Sequence, residues 1–223
     1  MTDRGAVAAS GGGLSVPTLL REPLERFVFA PDTWVRPRSL SRHLGAPSTY
    51  AWDGTPPDAA GLRRVMACAL PPRRLDTGLI GRDLRGRLAL MPRADWLRLG
   101  LCIAVLPFCG QIQRSMDGHF RRAVRQVLDE AALERLDQQA GLAERPVFRA
   151  GAGAWRAPDL LAAGGVRSAM EQACGWPEPV RQRFALQFEP EELEALPSVG
   201  GLDMTWLEIA CKVLLPDHPW LWC

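Results

Sequence analysis

Three histidines, six cysteines and a scatter of carboxylates are the residues with chemistry to offer. His43, His119 and His218 lie far apart in the chain. Asp117 and His119 sit two residues apart at a helix start, and with a carboxylate such as Glu191 they could share a proton as a general acid–base set. That arrangement would describe a small helical enzyme. It lacks a nucleophile with an orienting partner, because Ser115, Ser168 and Ser198 stand outside any G-x-S-x-G context. His119 therefore reads as a solvated or cap-adjacent residue. The carboxylates of Glu189–Glu194 have the spacing of an acidic first helical turn, where they complement the helix dipole.

The cysteines stand at 68, 102, 109, 174, 211 and 223, with no C-x-x-C pair and no histidine at zinc-ligand spacing. Cys68, Cys102 and Cys211 fall in apolar helical stretches, so they are expected to be buried free thiols of a reducing compartment. Gly11–Gly13 lacks the Lys-Ser/Thr of a phosphate loop, and Gly151-Ala152-Gly153 has no strand before it. Both are loop glycines. No catalytic, cofactor-binding or metal-binding residue is assigned, and no cofactor is expected.

The charge pattern narrows the partners. Of 27 basic residues only Lys212 is lysine, and 25 acidic residues leave a net charge of +2 with a sequence pI of about 8.3. A protein that tracks nucleic-acid phosphates shows a stronger basic patch. Segment 117–128 is the one candidate for the recognition helix of a helix-turn-helix regulator. The longest apolar run, Leu99–Gly110, is too short to span a bilayer. No signal peptide is read in residues 1–20, so a cytoplasmic, soluble protein is expected.

Ala, Leu and Arg dominate while strand-favouring residues are scarce, with Tyr50 the single tyrosine. An all-α fold follows: one compact, irregular domain of about eight to ten short helices over 19–223, behind a flexible tail at 1–18. Helices are expected at Leu19–Phe29, from Asp58 to about Leu70, at Asp95–Leu106, Phe108–Ser115 and 117–128, after Asp129, and at about 159–173, 177–187 and 202–215. The stretches 45–57 and 141–158 are loops, the second a possible lobe boundary. Trp96 and Trp206 lie on helix faces and read as core anchors. Trp34, Trp52, Trp155 and Trp176 lie in or beside loops and are read first as pinning them to the core, with one or two of them as candidates for partner contact.

The stretch Trp96-Leu97-Arg98-Leu99-Gly100-Leu101-Cys102, then Gln113-Arg114-Ser115-Met116-Asp117-Gly118, then Arg121–Leu128, resembles the SctK/YscK-type proteins of bacterial type III secretion systems. The closing segment Trp206–Leu215, followed by Pro216 and Trp220, is also similar to their C-terminal end. The resemblance covers about residues 60–220 and is densest over 96–128. It implies a non-enzymatic, helical adaptor of the cytoplasmic sorting platform beneath the injectisome. Such a protein links the forkhead-associated-like cytoplasmic domain of the inner-membrane ring protein to the pod protein that carries the ATPase assembly. It would be peripheral to the inner membrane through the apparatus, without inserting into it and without nucleic acid. A basic face of Arg114, Arg121 and Arg125 is the expected protein interface, since charge complementarity sets register and on-rate at such junctions.

Overall fold

The computed structural model describes residues 18–45, 58–105, 118, 122, 124–125, 128–139, 158–194, 204–216 and 218–222. Every regular element among them is helical, so the all-α expectation holds. Twelve α-helices are described: α1 Thr18–Phe29, α2 Pro37–His43, α3 Ala59–Ala69, α4 Thr77–Arg82, α5 Leu84–Leu88, α6 Arg93–Val105, α7 Glu130–Gln139, α8 Pro158–Ser168, α9 Glu178–Ala185, α10 Pro190–Glu194, α11 Met204–Leu214 and α12 Pro219–Trp222. This exceeds the eight to ten expected. The additions are pieces of four to seven residues (α2, α4, α5, α10 and α12), too short to display a repeating apolar stripe. The expected tail up to residue 17, the loops at 46–57 and 141–157, and the helix at 108–115 lie outside the described residues.

Local chemistry explains the well-predicted boundaries. The Asp58 carboxylate accepts the Gly61 N–H at 2.7 Å and caps α3, and Asp129 does the same for α7 through the Ala132 N–H at 2.7 Å. Asp76 and Asp83 cap α4 and α5. Helix α8 runs on into a π-helical turn, Ala169–Ala173, closed by the Cys174 N–H on the Ala169 carbonyl at 2.8 Å. Gly175 follows at φ 57°, a left-handed conformation that a glycine adopts without a Cβ penalty.

The core is built on α6. From Leu99 to Val105 every residue is buried, as is Trp96. The Trp96 indole N–H donates to the Leu88 carbonyl at 2.9 Å, and its ring meets Trp176 and Phe184 edge-on at 5.8 and 5.1 Å. Trp176 is pinned as expected, its indole N–H donating to the Arg85 carbonyl. Helix α11 lies across α6 and α7 with Trp206, Leu207, Ala210, Cys211, Val213 and Leu214 buried. No described helix is long and apolar enough to cross a membrane.

Helix α8 packs along α6 at backbone distance. A Cβ placed on Gly165 would overlap the Gly100 carbonyl oxygen, and one on Gly100 would overlap the Ala162 carbonyl oxygen and sit 2.8 Å from Val166 Cγ2. The obstacle is mostly main chain, which cannot rotate away as a side-chain tip can. A smaller apolar cluster (Val35, Leu40, Leu62, Met66, Leu70 and Leu186) lies under α2 and α3, beside the main core.

The thiols divide. Cys102, Cys174 and Cys211 are buried thiols outside any disulfide, whereas Cys68 is exposed, contrary to expectation, because α3 turns that face outward and buries Leu62 and Met66 instead. Burial pushes the Cys211 thiol up to about 12 and Cys174 higher still.

Gly165→Ala and Gly100→Ala should each lower unfolding stability by about 3 kcal/mol or more in urea titrations, given the cost of overpacking against backbone. Gly81→Ala, whose Cβ would meet only Leu20 Cδ1 at 3.9 Å, should be neutral or slightly stabilising. A short maleimide pulse on native protein, read by peptide mass mapping, should modify Cys68 and spare Cys102, Cys174 and Cys211.

Candidate functional site

Helix α9 carries its apolar residues at helical spacing, and two polar ones fall on the same stripe. Val180, Arg183, Phe184, Gln187 and Phe188 are all buried, Arg183 to 1% exposure and Gln187 to 3%. Arg183 is a cation in the interior with no carboxylate among its hydrogen-bond partners. Its Nε and Nη2 donate to the Phe27 and Val28 carbonyls, at 2.8 and 2.5 Å, and its Nη1 to the Leu70 carbonyl at 2.8 Å. Phe27 and Val28 close α1, and Leu70 is the residue after α3. The last carbonyls of a helix lack intrahelical donors and carry its partial negative charge, so the guanidinium meets two such ends at once. Its carbon also lies 5.7 Å from the Phe27 ring centroid and 5.6 Å from that of Trp34, and those two rings stack at 5.4 Å and 17°. Burial lowers Arg183 to about 10, which leaves it charged at neutral pH.

Phe27 and Trp34, the two rings beside this guanidinium, help line a cavity of about 460 Å³. The cavity is bounded by Arg26 and Phe27 from α1, by residues 32–36, by Leu90 and Pro92, by Arg93 and Ala94 at the start of α6, and by Gln187 after α9. Its mouth is positioned by main-chain links. The Trp34 indole N–H donates to the Arg26 carbonyl at 3.1 Å, and the Arg36 N–H to the Leu186 carbonyl at 2.8 Å. Ser39 Oγ donates to the Phe188 carbonyl.

The charges around it are unequal. Asp32 is held by Arg63 through two hydrogen bonds, 2.8 and 3.1 Å, and the Arg63 bond keeps its carboxyl below the usual range. Glu192 is held by Arg93 through both carboxylate oxygens. Burial works against that carboxylate, but the bonds from Arg93 and the Glu189 N–H, with the charges of Arg93 and Arg36, outweigh it and its pKa falls. Arg26 donates to the Leu90 carbonyl at 3.4 Å, and Arg36 makes no side-chain hydrogen bond or ion pair with a described residue. Of the arginines that line the cavity, Arg93 is thus paired with a carboxylate while Arg26 and Arg36 are not.

No family model matches this sequence, and no curated protein or solved structure matches it.

Of the expected interface residues, Arg114 and Arg121 lie outside the described residues. Arg125 is exposed and pairs with Glu130 at 3.6 Å, both side chains being at least half open to water. Asp117 and His119 also lie outside the described residues, and Glu191 is an exposed partner of Arg38 at 3.3 Å. Among the described residues no three His, Cys, Asp or Glu side chains converge as a metal site. The cavity residues went unnoticed in the sequence because they come from four separated segments. One signal was present: Arg183 and Gln187 interrupt an apolar helical stripe.

Arg183→Met should destabilise the protein by about 3–5 kcal/mol in denaturant unfolding, since three buried carbonyls would lose their donor. Arg183→Lys should recover less than half of that, because one ammonium cannot reproduce the planar fork.

Proposed function

We propose that this chain is a non-enzymatic adaptor of a type III secretion sorting platform, bridging the cytoplasmic domain of the inner-membrane ring protein and the pod protein. The placement in that apparatus rests on the resemblance over 96–128 and 206–220. The structural observation that supports a binding role is the arginine-rimmed cavity at the head of α6, whose walls are fixed by the buried Arg183 and whose free cations face outward. Arginines beside a half-buried aromatic ring, here Trp34, are the composition of recognition surfaces. The Arg114, Arg121 and Arg125 face is retained as the second contact surface, with Arg125 exposed and only loosely held by Glu130.

Co-purification of the full chain with each of the two partner proteins tests the reading. Stable complexes with both are expected, and deletion of the coding region should abolish secretion. Arg121→Glu with Arg125→Glu should weaken one of the two complexes by about tenfold at low salt and leave the other intact. Unchanged binding to both would remove that face from the interface. Failure of the unsubstituted chain to bind either partner would end the adaptor reading.

A further inference from the structure

Helix α6 is thirteen residues long, and its first turn opens into the cavity. The amides of Arg93, Ala94 and Asp95 precede the first helical bond, Trp96 N–H to the Pro92 carbonyl, and have no hydrogen-bond partner among the described residues. Such amides, with the positive end of the helix dipole, favour an anion. A helix start alone does not make a site. A second, independent feature is Gln187. It lines the same cavity at 3% exposure, yet its side-chain amide makes no hydrogen bond among the described residues. That amide keeps a little accessible surface, Glu189 Oε2 being the one fully buried side-chain polar atom without a partner among the described residues, and the open side available to it is the cavity. Arg26 and Arg36 supply the charge, both exposed and neither tied to a carboxylate.

We propose that the cavity at the head of α6 binds an acidic peptide segment, its carboxylate held by the α6 amides with Arg26 and Arg36, and the residue beside it lodged against Trp34 and Leu90. The occupant is a peptide rather than a bare inorganic anion for two reasons. A volume of about 460 Å³ is several times that of an oxyanion. The walls given by Trp34, Val35, Leu90 and Pro92 would stay wet around a free ion, whereas an apolar side chain next to the acid dries them. Asp32, which lines the cavity, and Glu192 do not fill this role, each being already clasped by its own arginine, and Asp95 in the first turn of α6 makes no hydrogen bond to those amides. Gln187 adds an amide that can donate to the carboxylate or meet the peptide main chain. The site requires an acidic partner and stands whether or not that partner belongs to a secretion apparatus.

The test uses the isotopically labelled full chain and a capped Leu-Glu-Leu tripeptide, with the capped Leu-Gln-Leu tripeptide and sodium phosphate as separate arms. Saturable amide shifts are expected at Ala94, at the Gln187 side chain and at the Trp34 indole. The glutamine tripeptide should bind about tenfold more weakly or worse, as expected for loss of a charge-assisted bond. Arg26→Gln with Arg36→Gln should weaken the glutamate tripeptide by about tenfold as well. Both side chains are exposed, so folding should persist. Arg36→Gln alone, with a smaller loss in the same direction, covers the case in which the double variant does not fold. Absence of shifts at these three groups up to about 10 mM tripeptide overturns the proposal. So does equal affinity for the two tripeptides, or unchanged affinity in the variants. Phosphate binding as tightly as the glutamate tripeptide would overturn it in favour of a free-anion site. None of these results bears on complex formation with the two platform proteins.

Discussion

The contact between Gly100 and Gly165 sets the rest of the molecule. Two helices pack at backbone distance only where neither carries a side chain, and here each glycine faces main-chain atoms of the other helix. Ala162, Ala163 and Gly164 keep the adjoining face of α8 small. Each glycine costs about 1 kcal/mol of helix propensity relative to alanine. What offsets it is the depth to which α6 sinks, with its residues from Leu99 to Val105 all removed from water. Because α6 is surrounded, α11 must lie across it and α9 must present Phe184 to Trp96.

A fold of many short helices has a second problem, which arginine resolves. Each helix end leaves carbonyls without donors, and twelve short helices leave many. Arg183 serves the ends of α1 and α3. Arg87 reaches the Gly81 carbonyl in the last turn of α4 and the Leu221 carbonyl in the last turn of α12, both at 3.1 Å. Arg135 reaches the Val213 carbonyl in α11 at 2.6 Å. With five donors in a fixed plane, arginine can bond several diverging carbonyls at once. Some of an arginine excess that reads as a compositional habit thus has a structural task. Arg183 also spans the two apolar clusters, tying Phe27 in one to Leu70 in the other.

The cavity is a product of those two constraints. Burying α6 fixes where its first turn emerges, and anchoring the end of α1 to Arg183 fixes the Trp34 wall opposite. Two of the arginines that line it, Arg26 and Arg36, are not consumed in matching carboxylates. Their positions follow from what the interior requires of their neighbours.

Much of the architecture was legible in residue order. The capping of α3 by Asp58 and of α7 by Asp129, the long apolar face of α6, the stripe of α11 and the anchoring by Trp96 and Trp206 all follow from interactions within a few residues. Short helices such as α4 and α5 were not legible, because one or two turns do not repeat a pattern. The Cys68 expectation failed for a related reason: helix α3 has one buried face, and only its packing against the 3-10 turn Pro31–Thr33 and Leu40 of α2 decides which residues occupy it. Local sequence determined helical content, caps and the central apolar helix. Tertiary structure alone decided the Gly100–Gly165 contact, the carbonyl cradle of Arg183 and the cavity, because each joins residues more than sixty positions apart and depends on geometry that no local spacing encodes.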